Sequence, residues 1–440
     1  MRLTTRELDY SHGFTHDNDI FNRRRFATQL ENIIINSQDE SLVFAIDDGW
    51  GSGKTTFLRL WESSLNKKEP STLKAIYFDA FENDYQQDAF LAIASKIYSL
   101  IEKKEPELQK RFIEGAKAVG KSLLGISAKV GISIATAGLV NGTAIESAGD
   151  SISDGLSDPI DKFIEDKIKN AEKDELTLAH FKETLKKVAE NKKVVFIIDE
   201  LDRARPDFSL EILEKIKHVF STNNFVFILS MNREQFQKVI VRRYGEIDAR
   251  LYLSKFIHHW FTLPKEPVSL TNKAAVGKYC EHLSNTRFGN NGAFQVACHM
   301  LSHLLSRNEA SLRDAERAFG FMSLISASQA DRKSETEQVA IAIVTYIISH
   351  HPELVQRIKN RNITPNELMS SIGVNHPSNF DEDNHIMVII NTELLADEEY
   401  RKMMSDGTHL VLHSFGRRPF LIRNFLSHVD NMFTDNNIEK

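Results

Sequence analysis

Asp48-Gly49-Trp50-Gly51-Ser52-Gly53-Lys54-Thr55-Thr56 has the residue types and spacing of a loop that binds phosphate. Glycines at 49, 51 and 53 let the backbone curl until its N–H groups face an anion. A helix opening at Thr56 would add its positive end. Lys54 then reaches the β and γ phosphates of a nucleoside triphosphate and Thr55 ligates magnesium, so Gly49, Trp50, Gly51, Ser52, Gly53, Lys54, Thr55 and Thr56 form the expected nucleotide-binding set. Asp48 stands where the G-x-x-x-x-G-K-[ST] pattern has its first glycine. Aspartate tolerates left-handed backbone angles better than most residues, which lets the loop close.

A second constellation lies in Lys192-Lys193-Val194-Val195-Phe196-Ile197-Ile198-Asp199-Glu200-Leu201-Asp202-Arg203. Its apolar run reads as a strand buried on both faces, ending in acid. Asp199 at the carboxyl end is placed to hold hydrated Mg²⁺ together with Thr55, and Glu200 to polarise an attacking water. An apolar run ending in acid is weak evidence alone; paired with the phosphate loop it describes a hydrolytic site with Lys54 and Glu200 as catalytic groups. A third apolar run, Phe225 to Ser230, leads to Asn232, which either orients that water or senses the γ phosphate, or is a turn residue chosen for its αL tolerance.

Several arginines are candidates for transition-state contacts. Arg242, Arg243 and Arg250 could reach a neighbouring subunit's nucleotide, and the spacing does not choose among them. Arg313 and Arg317 share one helix face, where Arg313 could bend back to the γ phosphate or both could form a surface ion-pair face. His299 and His303 are also one turn apart, but without a matched acidic third ligand they predict no metal site.

The elements that must position these groups follow from periodicity. A helix through Leu30, Ile33 and Ile34, preceded by the basic run Phe21 to Phe26, leads into a strand over Leu42 to Ile46. That basic run either touches the nucleotide base or is a solvated helix end. Leu73 to Phe81 is β-rich and Ala89 to Ile101 helical. Residues 106 to 190 break the rhythm as an insertion with a glycine-rich middle (115 to 149) and a charged helix from Asp158 to Lys187. Its uncharged stretch Val130 to Ile145 is shorter than the ~20 apolar residues a membrane helix needs and is interrupted by polar residues, so a soluble hairpin or helix is expected, with peripheral membrane contact as the alternative. Beyond Pro264 helices follow without strong strands: Lys273 to Leu283, Ala293 to Leu305, Leu312 to Ser323 and Gln338 to Ile348. An acidic linker is expected at Asp381-Glu382-Asp383, then a basic-aromatic helix over Phe415 to Phe425 with solvated arginines.

The fold class is therefore α/β, a parallel-sheet nucleotide-binding core with a helical insertion, followed by an all-α C-terminal region. The expected domains are 1–265 as the core, 266–330 as a helical lid and 331–440 as a C-terminal helical domain. With 440 residues the chain has room for them. A formal charge of −6 gives no support for nucleic-acid binding, for which only Arg417, Arg418 and Arg423 speak. Two cysteines, Cys280 and Cys298, suggest a reducing compartment, and the charged N-terminus lacks a signal peptide's apolar core, which together predict a cytoplasmic protein.

Trp50 within Gly49 to Thr56, the Ile198-Asp199-Glu200-Leu201-Asp202-Arg203 strand end, the strand at 225 to 229 and Tyr252-Leu253-Ser254-Lys255-Phe256 together resemble the KAP family of P-loop NTPases, over roughly residues 15 to 330. The resemblance implies ATP with Mg²⁺ as the bound species, hydrolysis, and roles for Asp202 and Arg203 in shaping the site or a subunit contact. In that family an insertion, often with membrane-spanning helices, interrupts the ATPase domain where residues 115 to 149 lie. Its bacterial members include plasmid-encoded phage-exclusion proteins and ATPase components of defence modules, and its animal members a membrane signalling scaffold. The expected function is an ATP-hydrolysing homo-oligomeric switch or motor in defence. A separate effector protein supplies the output, because no effector constellation occurs in 331 to 440. The alternative is a membrane-associated scaffold set by nucleotide binding.

Overall fold

The computed structural model describes residues 8–37, 41–69, 71–86, 88–124, 159–264, 275–289, 294–327, 333–374, 381–405 and 418–433, with side chains excepted at 123–124, 159–172, 403–404 and 430–433. Five strands, β1 (Ser41–Asp47), β2 (Leu73–Asp79), β3 (Lys193–Asp199), β4 (Phe225–Met231) and β5 (His259–Phe261), form one parallel sheet in the order β2-β3-β4-β1-β5. The phosphate-loop strand and the acidic strand are thus separated by β4, whose end carries Asn232. Parallel strands need crossovers, which bring helices over both faces. These helices are α1 (Arg24–Asn36), α2 (Lys54–Lys67), α3 (Ala80–Asn83), α4 (Ala89–Tyr98), α5 (Pro106–Leu124), α6 (Pro159–Val188), α7 (Pro206–Lys215), α8 (Arg233–Tyr244) and α9 (Ala249–Leu253).

Successive strand residues point to opposite faces, so each buried strand feeds two cores. Phe44, Ile46, Ile197 and Ile228 pack with Phe57 and Trp61 of α2 and Leu30 of α1. Val43, Ala45, Ile198 and Phe227 pack with Phe90 of α4, Ile212 of α7 and Phe236 of α8. β5 was not legible in the sequence: it is a three-residue edge strand with no apolar run, fixed to β1 by Val43 N donating to His258 Nδ1 at 2.9 Å.

The insertion is anchored at its flanks. Phe112 of α5 and Phe181 of α6 lie with ring centroids 5.4 Å apart, and Phe181 meets Phe90 at 5.7 Å, so both flanking helices belong to the core beside α4. The glycine-rich middle from 125, including Val130 to Ile145, lies outside the described residues. Among the described residues no helix is long and apolar enough to cross a membrane.

The rest of the chain is helical: α10 (Ala275–Phe288), α11 (Gln295–Arg307), α12 (Leu312–Ala327), α13 (Glu335–His350), α14 (Leu354–Lys359), α15 (Pro365–Ser371), α16 (Asp381–Leu394), α17 (Asp397–Ser405) and α18 (Leu421–Phe433). From Val339 to Ile347 every residue of α13 is buried, so its apolar surface needs partners all round. Helices α11, α12, α16 and α18 supply them. A capping box of Ser334 and Glu337 starts α13. Residues on both sides of position 330 share this one hydrophobic core, which runs from Val276 to Val429.

Two local expectations are corrected. Asp381-Glu382-Asp383 is not a linker but the first turn of α16, where acids suit the positive helix end. It supplies acids to His299 and His303 from a distant part of the chain: His299 Nε2 lies 2.9 Å from Glu382 Oε1, and His303 Nε2 lies 2.8 Å from Asp383 Oδ1. Among the described residues no cluster fit for a metal ion results. The basic-aromatic stretch becomes helical only at Leu421, and its described arginines are ion-paired rather than solvated. Arg418 pairs with Asp397 at 2.7 Å and Arg423 with the buried Glu393 at 2.6 Å. Arg417 lies outside the described residues.

Candidate nucleotide site

The loop between β1 and α2 is closed by its own lysine. Lys54 Nζ donates to the carbonyls of Asp48 (2.6 Å) and Gly49 (2.9 Å), which sets the ammonium at the centre of the curl. Burial pushes the Lys54 pKa down, opposed by the charges of Asp202, Asp48 and Asp199. Gly51 and Gly53 have φ of +78° and +86°, and both sit against neighbours. A Cβ at Gly51 would lie 2.8 Å from Ser311 Oγ and 2.9 Å from Arg313 Cβ. One at Gly53 would lie 2.9 Å from Arg23 Nη1.

Asp48 is not left-handed, contrary to the expectation: its φ is absent from the positive set, so the position does not require glycine. Its carboxylate accepts the next amide, Gly49 N, at 2.8 Å, and its own N–H is tied to β4 through Met231 O at 3.4 Å.

The second motif meets the first. Asp199, 1% exposed, accepts from Tyr77 Oη at Oδ2 (2.9 Å) and from Glu200 N at Oδ1 (2.9 Å). Glu200 has φ of +56°, a strained angle for a residue with a side chain. Its Oε1 lies 3.5 Å from Thr55 Oγ1 and its Oε2 pairs with Arg203 at 2.8 Å. Burial raises the Glu200 pKa; Arg203 lowers it, and Asp199 raises it further. Trp50, 49% exposed, donates its indole N–H to Asp202 at 2.6 Å, which joins the tip of the loop to the end of the acidic strand.

Asn232 closes β4 and caps α8, its Oδ1 accepting from Gln235 N at 3.2 Å. Its backbone is extended, so the αL turn alternative does not apply. The geometry brings Arg313 to the loop through Gly51, at the start of α12. Arg317 instead reaches Asp314, at 3.5 Å. Of the other arginines, Arg243 pairs with Asp207 at 2.8 Å. Arg242 and Arg250 line a groove of about 780 Å³ that also reaches Trp50 and Asp202.

Two residues here were not found from the sequence. Arg23, buried at the start of α1, donates to the carbonyls of Ser52 (3.0 Å) and Gly53 (3.3 Å), and burial pushes its pKa down to about 10. The basic run was visible, but nothing local tells which of its arginines turns inward. Tyr77 lies on β2, and only the strand order puts it beside Asp199.

The residues fit a triphosphate and a hard cation. Among the described residues buried Ser52 Oγ has no hydrogen-bond partner, a Cβ at Gly51 or Gly53 would collide with its neighbours, and Thr55 beside the Glu200 carboxylate, which follows Asp199, is an all-oxygen set that suits Mg²⁺.

The KAP family P-loop domain matches residues 23–286, more than half of the chain. Among curated proteins none matches. The fold has weak likeness to solved structures. The Aeropyrum pernix ORC2 protein (ADPNP–ADP complexes) is 13% identical, with 94% of this chain and 95% of that chain covered at a TM-score of 0.38. The Aeropyrum pernix ORC1 protein in complex with DNA is 14% identical, with 90% and 89% covered at 0.37. Cdc6p from Pyrobaculum aerophilum is 14% identical, with 98% and 92% covered at 0.38. Likeness of this degree transfers no function. The family match, on a chain with this loop, acidic strand end and parallel sheet, makes this protein a member of the KAP family of P-loop NTPases.

Proposed function

We propose that the chain is a Mg²⁺-dependent ATPase that works as a homo-oligomeric switch or motor in defence against phage or foreign DNA, with a separate effector protein supplying the output. The observation that carries the hydrolytic part is the 3.5 Å approach of Thr55 Oγ1 to Glu200 Oε1, across 145 residues of chain. The amides from Gly49 to Thr56 and the Lys54 ammonium bind and orient the phosphates. Thr55 and Asp199 would hold Mg²⁺, which would offset charge on the phosphate oxygens. Glu200 takes a proton from water at its carboxylate, and its raised pKa makes it a stronger base than a solvated glutamate. Asn232 orients that water and Arg313 faces the loop from α12. Arg242 and Arg250, in the groove beside Trp50, are the arginines placed on an open surface that a second copy could meet. The defence setting rests on the bacterial members of the family.

Steady-state hydrolysis by the purified protein tests the enzymatic part. Lys54→Ala and Glu200→Gln should each lower kcat by about 10²-fold or more. Unchanged hydrolysis in both would sink it. The same two variants should lose protection in a plaque assay, and retained protection would remove the defence role while leaving the chemistry standing.

A further inference from the structure

We propose, on the reading of Asp199 as a ligand of Mg²⁺, that Tyr77 is a positioning residue for that carboxylate and that Arg59 of α2 in turn holds the Tyr77 ring. The sheet register makes the contact possible. β2 runs parallel to β3 with Asp79 opposite Asp199 and Tyr77 opposite Ile197, so Tyr77, Asp79 and Asp199 share one face. Strand spacing and rise put the Cα atoms of Tyr77 and Asp199 about 8 Å apart, a gap that a tyrosine spans. The Tyr77 hydroxyl donates to Asp199 Oδ2 at 2.9 Å. Asp79, which stands nearer, is used elsewhere: its Oδ1 accepts from Glu82 N at 2.9 Å and caps α3.

Two donors fix the plane of the Asp199 carboxylate. The torsion that turns an aspartate's carboxylate is broad, so bonding rather than rotamer preference must hold it. One donor is Glu200 N, the next residue in the chain, at Oδ1. Among the described residues Tyr77 is the donor that reaches across from another strand, at Oδ2. An ionised carboxylate has about four acceptor sites, so with one taken on each oxygen, one on each stays open for a metal ion or its water. Without the Tyr77 hydroxyl, Oδ2 of this 1% exposed side chain loses its donor and the carboxylate is held from one side alone.

The Tyr77 ring is itself held. The Arg59 guanidinium lies 4.6 Å from its centroid and 5.6 Å from that of Tyr10, so one cation bridges two rings, within the ~6 Å over which a ring face attracts it. Arg59 follows Thr55 by one turn of α2. One helix therefore carries both Thr55, whose hydroxyl faces Glu200, and the cation that places Tyr77. Thr55 and Asp199 come from different elements, and this chain of contacts ties both to α2.

The test is isothermal titration calorimetry of the full chain with a non-hydrolysable ATP analogue, in EDTA and over a series of Mg²⁺ concentrations. Tyr77→Phe keeps the ring and removes only the hydroxyl. It should raise the Mg²⁺ concentration at half effect by about ten- to hundredfold, the usual loss when a group that orients a metal ligand is removed, and leave affinity in EDTA near that of the parent. Arg59→Leu should shift the Mg²⁺ dependence the same way by about two- to fivefold, the size of one cation–π contact. In steady-state hydrolysis both deficits should shrink as Mg²⁺ is raised to saturation, because the carboxylate is misplaced and not removed. An unchanged Mg²⁺ dependence in Tyr77→Phe overturns the proposal. So does a loss of affinity of equal size with and without Mg²⁺, which would make Tyr77 a packing residue. If Tyr77→Phe fails to fold, an unchanged Mg²⁺ dependence in Arg59→Leu overturns it instead. A parent chain that binds the analogue independently of Mg²⁺ removes Asp199 as a metal ligand and this role with it. A parent that needs Mg²⁺, beside an unaffected Tyr77→Phe, removes the role of Tyr77 alone.

Discussion

Each half of the molecule buries an aspartate, and the two are handled in opposite ways. Asp199 in the α/β half accepts one hydroxyl and one amide, and among the described residues no cation pairs with it. Asp383 in the helical half, 0% exposed, is met by His303 at 2.8 Å and Arg307 at 2.8 Å. A buried carboxylate without a counter-charge is costly unless something supplies one. The fold supplies it at Asp383. At Asp199 the proposed Mg²⁺ would be that source, with Tyr77 and the Glu200 amide holding the carboxylate in place. The same residue type is thus neutralised within the fold at one place and left without a counter-charge at the other.

Substitutions at five positions would break or sharpen this contrast. The largest effect is expected from Asp383→Asn, which leaves Arg307 without its charge partner and should cost about 3–5 kcal/mol of stability in a denaturant melt. Its hydrolysis per folded molecule should stay near that of the parent. Asp199→Asn should do the reverse: Tm equal to or above the parent's without Mg²⁺, and hydrolysis lower by about 10²-fold, readable as a lost Mg²⁺ dependence. If both variants fail in the same assay, the contrast is wrong.

Next in size is Arg313→Ala, which tests whether the helical half takes part in the chemistry at all. Removing one positioned cation should lower kcat about 10-fold or more with little change in Tm, because the Arg313 guanidinium is not part of a core. Arg203→Gln addresses Glu200. Burial raises the Glu200 pKa, so the base ionises at higher pH than a solvated glutamate and the acid limb of kcat moves up with it. Arg203 opposes that rise, so its removal should move the limb further up in a pH–rate profile. The smallest effect is that of Asn232. Its cap on α8 predicts a loss of about 1 kcal/mol in Asn232→Ala that Asn232→Asp restores. If Asn232→Asp restores hydrolysis too, the side chain acts only as a cap.

How much of this could be read in advance varied with the range of the interactions involved. The four long strands, the loop and the acidic strand end were legible because apolar runs and glycine spacing are local properties. The row of helices after residue 264 was legible for the same reason. β5 was missed because it is three residues long and depends on pairing with β1. The acidic stretch at 381 to 383 was misread as a linker because its partners, His299, His303 and Arg307, are some 80 residues away in the chain. The basic run at 21 to 26 was seen, but Arg23's place beneath the loop was not.

The sequence by itself determined that a phosphate loop and an acidic strand end exist, that they belong to a parallel sheet, and which family the chain joins. Only the tertiary structure decided which groups meet there: Arg23 under Gly53, Tyr77 on Asp199, Arg203 on Glu200 and Arg313 beside Gly51. The physical reason is that backbone conformation follows from neighbours along the chain, whereas the charge balance of a buried group follows from whatever strand order and helix packing bring to it.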